Sequence, residues 1–152
     1  CINRWEILDA IDTKLPVILS TGMSRWDEIQ AAIYRLDNPL TLLHCTSSYP
    51  CQPEEVNLLA METLSQFGFP VGFSDHTENG VCAIAAAALG ATVIEKHLTL
   101  DRSQPGPDHQ SSIDPTTFYM MVQSIRTVEK AMGDGVKRVM SSEAELRKAW
   151  RS

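Results

Sequence analysis

Two rhythms of apolar residues alternate along this chain. Short runs of mostly consecutive apolar residues occur at PVILS (16–20), Leu40 to Cys45, Pro70 to Phe73 and Thr92 to Lys96. Such runs, bounded by turn residues, predict strands buried on both faces. Between them the apolar positions recur at helical spacing. Residues 2–12 carry Ile2, Trp5, Ile7, Leu8 and Ile11 and predict a leading helix. Ser24 is the predicted cap of the next, with Asp27 and Glu28 in its first turn. Ile29, Ala32, Ile33 and Leu36 form its inner face, and Asn38-Pro39 ends it.

Pro53, Glu54 and Glu55 predict a helix start, with the helix running through Phe67 to a stop at Gly68. Gly80 to Leu89 reads as a small-residue helix closed by Gly90, its alanines allowing close approach to a sheet. Asp114-Pro115 opens a helix expected to reach Met132 and stop at Gly133. Ser142 and Glu145 make a capping box for a terminal helix from Glu143 to Trp150.

The order is a leading helix and then four βα units, with strand centres near Ile18, Leu42, Val71 and Val93, 22 to 29 residues apart. That is the rhythm of a parallel sheet covered by helices. Polar residues gather just past each strand: Ser20-Thr21, Thr46 to Tyr49, Ser74-Asp75-His76 and Glu95-Lys96-His97. Loading one rim in this way is what a barrel does at its C-terminal face. The expected fold is α/β, parallel (β/α) units forming half of a TIM (β/α)8 barrel. Residues 1–135 hold the four units, and 136–152 hold a terminal helix leading to a linker. Half a barrel leaves two sheet edges and an inner face open, so self-association as a homo-oligomer, or pairing with a missing N-terminal half, is expected.

Composition narrows the partners. A net charge of −6 argues against nucleic acid and against an anionic membrane surface. No apolar run approaches the length of a membrane span, and neither a membrane span nor a signal peptide is expected. It begins at Cys1 without an initiator Met, which reads as a fragment or a natural truncation. Cys1, Cys45, Cys51 and Cys82 form no CxxC pair, and Cys45 and Cys82 stand in apolar surroundings. They read as reduced thiols of a cytoplasmic protein, with burial rather than redox chemistry explaining Cys45. No GxGxxG or GxxxxGK[ST] follows a strand, so dinucleotide and P-loop readings lose support.

The candidate chemistry lies between Val71 and Asp108. In a strand, residues i and i+2 share a face, so Ser74 goes with His76 and Glu95 with His97. If the two strands are parallel neighbours, two imidazoles, a hydroxyl and a carboxylate converge at one mouth. A single histidine ending a strand is usually a hydrogen-bonded structural residue. Two of them one βα unit apart are harder to explain so, because polar groups buried without partners cost roughly 1–3 kcal/mol each. His44 lies on the other strand face and reads as structural; His109 is open to either reading. The basic tail residues Lys137, Arg138, Arg147, Lys148 and Arg151 read as solvated surface.

Several stretches together resemble the sialic acid synthase family: PVILSTGMS (16–24), LLHCTSSYP (42–50), VNLLAMETL (56–64), VGFSDHT (71–77), GATVIEKHLTLDRSQPGPDH (90–109) and the closing SSEAELRKAWRS. That family comprises N-acetylneuraminate synthase and its legionaminic and pseudaminic acid relatives. The resemblance implies condensation of phosphoenolpyruvate with an N-acetylated aminosugar such as N-acetylmannosamine, releasing phosphate, with a divalent cation, Mn²⁺ or Mg²⁺. It implies His76 and His97 as the metal ligands, Ser47 and Ser74 as phosphoenolpyruvate contacts, and Tyr49 and Asp108 as sugar contacts. Glu95 would orient a hydroxyl or relay a proton.

The choice of metal rests on the resemblance, since two histidines by intrinsic affinity favour Zn²⁺ or Cu²⁺. Ser47 stands where some members carry Asn. It reads equally as a cap or loop contact near Pro53, and Tyr49 before Pro50 reads also as packing. The family's first four βα units and its C-terminal antifreeze-like domain are expected to lie outside this sequence. The alternative function is therefore a catalytically silent half-barrel that serves as an assembly or metal-binding piece.

Overall fold

The computed structural model describes residues 4–11 and 14–151. Four strands, β1 (Val17–Ser20), β2 (Leu40–Cys45), β3 (Val71–Asp75) and β4 (Ile94–Lys96), form one sheet in the order β1-β2-β3-β4, every pair parallel. Parallel neighbours need crossovers of one hand, so a sheet wound in sequence order puts its connecting helices on one face. It therefore curls as half of a (β/α)8 barrel, as expected.

The helices are α1 (Trp5–Asp9), α2 (Trp26–Ile33), α3 (Pro53–Val56), α4 (Ala60–Ser65), α5 (Val81–Ala88), α6 (Pro115–Met132) and α7 (Ala144–Arg151), the last entered through a 3₁₀ turn at Ser141–Glu143. Strand side chains alternate between two environments. Leu19, Leu42, Val71 and Phe73 face the helices and pack with Ile29, Ala32, Met61, Leu64 and Ala86 as the main core. On the concave face, Ile18 stays 57% exposed while Leu43 is 1% exposed. Leu43 fills the floor beside Gly72, where an added Cβ would stand 2.6 Å from its Cδ2 and 2.4 Å from the Val93 carbonyl oxygen.

Several expected boundaries moved. The leading helix is limited to Trp5–Asp9, and the expected positions 2, 3 and 12 lie outside the described residues. Ser24 does not cap α2: its hydroxyl donates to the Gly22 carbonyl, while the Glu28 carboxylate accepts the Arg25 N–H at 2.7 Å. The helix expected from Pro53 to Phe67 is two short ones, because Asn57 takes a left-handed conformation (φ 50°) between them. Asn tolerates that region better than most residues, and nothing in the apolar spacing signals the break. At the terminal helix, Met140 N–H donates to Glu143 at 2.8 Å, displacing the expected Ser142–Glu145 box.

Other expectations held. Asp114 caps α6 by accepting the Thr117 N–H, and Gly133 ends that helix at φ 62°. Ala83 and Ala86 are fully buried, so α5 lies close to its neighbours. Gly80 at its head leaves room for Met121 of α6, whose Cγ would sit 2.6 Å from an added Cβ. No helix among the described residues is long and apolar enough to cross a membrane.

Candidate functional site

The C-terminal ends of β2, β3 and β4 open onto one mouth. Ser74 and Glu95 are register partners, and the Ser74 hydroxyl donates to the Glu95 carboxylate at 2.6 Å. One residue beyond the strands, the rings of His76 and His97 stand 5.2 Å apart, edge to face at 86°. Tyr49 lies against both, 4.1 Å from the His76 centroid and 5.3 Å from that of His97. Two imidazoles, a hydroxyl, a carboxylate and a phenol thus share one rim.

The orientation of His76 is fixed from behind. Its Nδ1 lies 2.8 Å from the Thr46 carbonyl oxygen, which can only accept, so Nδ1 carries the proton. In the neutral ring Nε2 keeps its lone pair; it lies 3.5 Å from the Ser74 oxygen, whose proton is directed to Glu95. Main-chain bonds also anchor both histidines: Cys51 N–H donates to the His76 carbonyl, and Ile113 N–H to that of His97.

Cys45 belongs to this mouth, which corrects its reading as a thiol in apolar surroundings. It is 8% exposed, with Sγ 3.8 Å from His76 Nδ1 and 3.7 Å from Ser47 Oγ. Burial pushes this thiol up, but His76, Ser47 and Ser20 outweigh it and hold the thiol below its ordinary value. Burial likewise pushes His76 down, while Cys45 and the Thr46 carbonyl bring it above the usual imidazole range. Tyr49 is raised by burial first and then by the negative charges of Cys45, Asp108 and Glu95.

Asp108 stands exposed in the loop after β4, near enough for its charge to be felt at Tyr49, and its carbonyl takes the Ser112 hydroxyl at 2.7 Å. Ser47 packs against Gly22, where an added Cβ would lie 2.3 Å from Oγ, and it does not cap α3. His44 Nε2 donates to the Val56 carbonyl at 2.7 Å on the helix side, as expected of a structural histidine. His109 is bound to the Thr99 hydroxyl at 2.7 Å and serves its loop.

Sequence reasoning missed one group. Asp75 and Lys96, the residues just before the two histidines, meet on the helix side at 3.1 Å with side chains 0% and 1% exposed. Opposite charges at matched positions of two neighbouring strands were the available signal.

As a metal centre the mouth is incomplete: among the described residues no three His, Cys, Asp or Glu side chains cluster closely enough to hold an ion. The pair does fit a cation that takes its other ligands from water or substrate. A histidine that donates its far N–H to a carbonyl is arranged as metal-ligating histidines are.

Comparison with known proteins gives one consistent answer. The sequence matches the NeuB family over residues 1–137. It is 52% identical over 151 residues to an uncharacterised protein of Methanocaldococcus jannaschii, covering 95% of this chain and 45% of that one. It is 46% identical over 143 residues to the N,N'-diacetyllegionaminic acid synthase of Legionella pneumophila, covering 88% and 40%. The fold superposes, with TM-score 0.86 and 36% identity, on a crystal structure of N-acetylneuraminic acid synthetase from Leptospira borgpetersenii in complex with citrate, covering 99% of this chain and 55% of that one. The chain spans less than half the length of these two curated relatives.

Proposed function

The chain belongs to the NeuB family, and from that premise we propose that it carries the metal-binding half of a mouth that condenses phosphoenolpyruvate with an N-acetylated aminosugar. The product is a sialic or related nonulosonic acid, with phosphate released. The observation that carries the reading is the His76–His97 pair, 5.2 Å apart at the open end of a curled parallel sheet. Relatives named as nonulosonic acid synthases support the reaction class.

His76 and His97 are the residues that would hold a divalent cation, Mn²⁺ or Mg²⁺. Lewis-acid polarisation of the sugar aldehyde is the chemistry such an ion supplies when bound. Thr46 fixes the His76 tautomer, so Nε2 faces the mouth with its lone pair. Glu95 accepts the hydrogen bond of the Ser74 hydroxyl, which orients both groups. Through that bond Ser74 would meet phosphoenolpyruvate and Glu95 would orient a hydroxyl or move a proton. Ser47, beside Cys45, would be a second phosphoenolpyruvate contact. Tyr49 closes over the two imidazoles and, with Asp108, would hold the sugar.

The test is phosphate release by the intact protein from phosphoenolpyruvate with N-acetylmannosamine, and with related 2-acetamido sugars, in the presence of Mn²⁺. Sugar-dependent release that disappears in His97→Ala is the expected result. Mn²⁺ binding through both histidines without turnover on any such sugar would instead favour a silent assembly or metal-binding piece.

A further inference from the structure

We infer that Asp75, Thr77 and Lys96 form a buried clamp that sets the spacing of the two mouth histidines. Asp75 and Lys96 are register partners on β3 and β4. Each directly precedes a histidine, and neighbouring residues of a strand point to opposite faces. The ion pair therefore sits behind the sheet, while His76 and His97 emerge in front of it at the next position.

The clamp is closed by Thr77. Asp75 Oδ1 accepts both the Thr77 N–H at 2.9 Å and its hydroxyl at 2.8 Å. Lys96 Nζ meets Asp75 Oδ2 at 3.1 Å and also donates to the Thr77 carbonyl. His76 is thus held on both flanks, at residues 75 and 77, by the side chain that ends β4. That strand is three residues long and lies at the edge of the sheet. Its last residue is where fraying would begin, and that residue is tied to the neighbouring strand.

Stability alone does not account for this arrangement. Taking two charges out of water is costly, and a well-packed apolar pair of similar volume is often at least as stable. What the pair adds is a charge contact available in one register only, with the Lys96 hydrogen bond directed to the Thr77 carbonyl. The inference takes its functional meaning from the proposed cation site, but its structural claim concerns only the two rings.

The experiment uses the intact protein and two readouts. One is the set of cross-ring nuclear Overhauser contacts between His76 and His97 in metal-free protein. The other is Mn²⁺ affinity from water-proton relaxation. In Asp75→Asn/Lys96→Gln, with an unchanged circular dichroism spectrum, the cross-ring contacts are expected to weaken and Mn²⁺ affinity to fall about 10–100-fold. Thr77→Val moves both readouts the same way by a smaller factor, and it decides the matter if the double variant does not fold. A folded variant that keeps the cross-ring contacts of the wild type overturns the clamp. If the wild type binds no Mn²⁺ through His76 and His97, the cation reading falls by itself, and the cross-ring contacts still judge the clamp.

Discussion

The Nδ1 proton of His76 is given to the main-chain oxygen of Thr46 at 2.8 Å, so the nitrogen that faces the mouth is the one with a free lone pair. A rotated ring would break that bond and leave the Thr46 carbonyl with the Ser48 N–H as its remaining donor, at a cost of about 0.5–1.5 kcal/mol. The tautomer is therefore set before any ligand arrives. With His97 beside it, His97→Ala is expected to abolish Mn²⁺ binding while leaving helix content unchanged. Isothermal titration and far-ultraviolet circular dichroism check the two halves, and undiminished Mn²⁺ affinity in the variant would remove the ligand assignment.

Ser74→Ala separates orientation from stability. The lost hydrogen bond ends on Glu95, which is exposed and can turn to water, so unfolding free energy should drop by only about 1 kcal/mol. Turnover should fall by more than that stability change implies, because Glu95 loses its bearing. Urea melts and steady-state phosphate release, measured side by side, check the split.

Gly72→Ala tests the floor of the mouth. A methyl group there meets the Val93 carbonyl oxygen at 2.4 Å, and that oxygen is main chain and cannot swing away. A loss of about 1–3 kcal/mol in unfolding free energy, read from urea melts, is expected, as for other overpacked cores.

Lys96→Met leaves the Asp75 carboxylate buried without its counter-charge, and a cost of about 3–5 kcal/mol is expected. Adding Asp75→Asn should recover part of that loss, because the stranded charge is gone. A double-mutant cycle read by denaturant unfolding gives the coupling, and additive losses would contradict it.

Acid stability should carry the signature of the α6 cap. The Thr117 N–H, and then its hydroxyl, hold the Asp114 carboxyl below its ordinary value. A depressed folded-state value means that the contribution is present above the unfolded value, about 3.9, and is lost as pH falls through the folded one. Asp114→Asn keeps an acceptor for the N–H but cannot titrate. Its melting temperature should therefore fall less steeply than that of the wild type below about pH 4, as a calorimetric pH series would show.

What the sequence made legible follows from how local each signal is. The strand order and the convergence of Ser74, His76, Glu95 and His97 needed only a period of two and a one-handed crossover. The Asn57 break was invisible because it interrupts no apolar spacing: Val56, Met61 and Leu64 stay buried on either side of it. Cys45 reads as apolar because it closes the largely apolar run from Leu40, while its neighbours in space are Ser20 of β1, Ser47 in the loop after β2 and His76 just past β3. The Asp75–Lys96 pair is hidden in the sequence because each residue stands within a run of rim residues yet faces away from the rim.

The single crossover through α5 has one more consequence. His76 and His97 are 21 positions apart, and the helix between them buries Ala83 and Ala86 completely. No distant segment has to arrive for the two rings to meet. Chain ends could be relocated to other surface turns without separating them, whereas a nick between Val81 and Ala88 would unlink the halves of the pair.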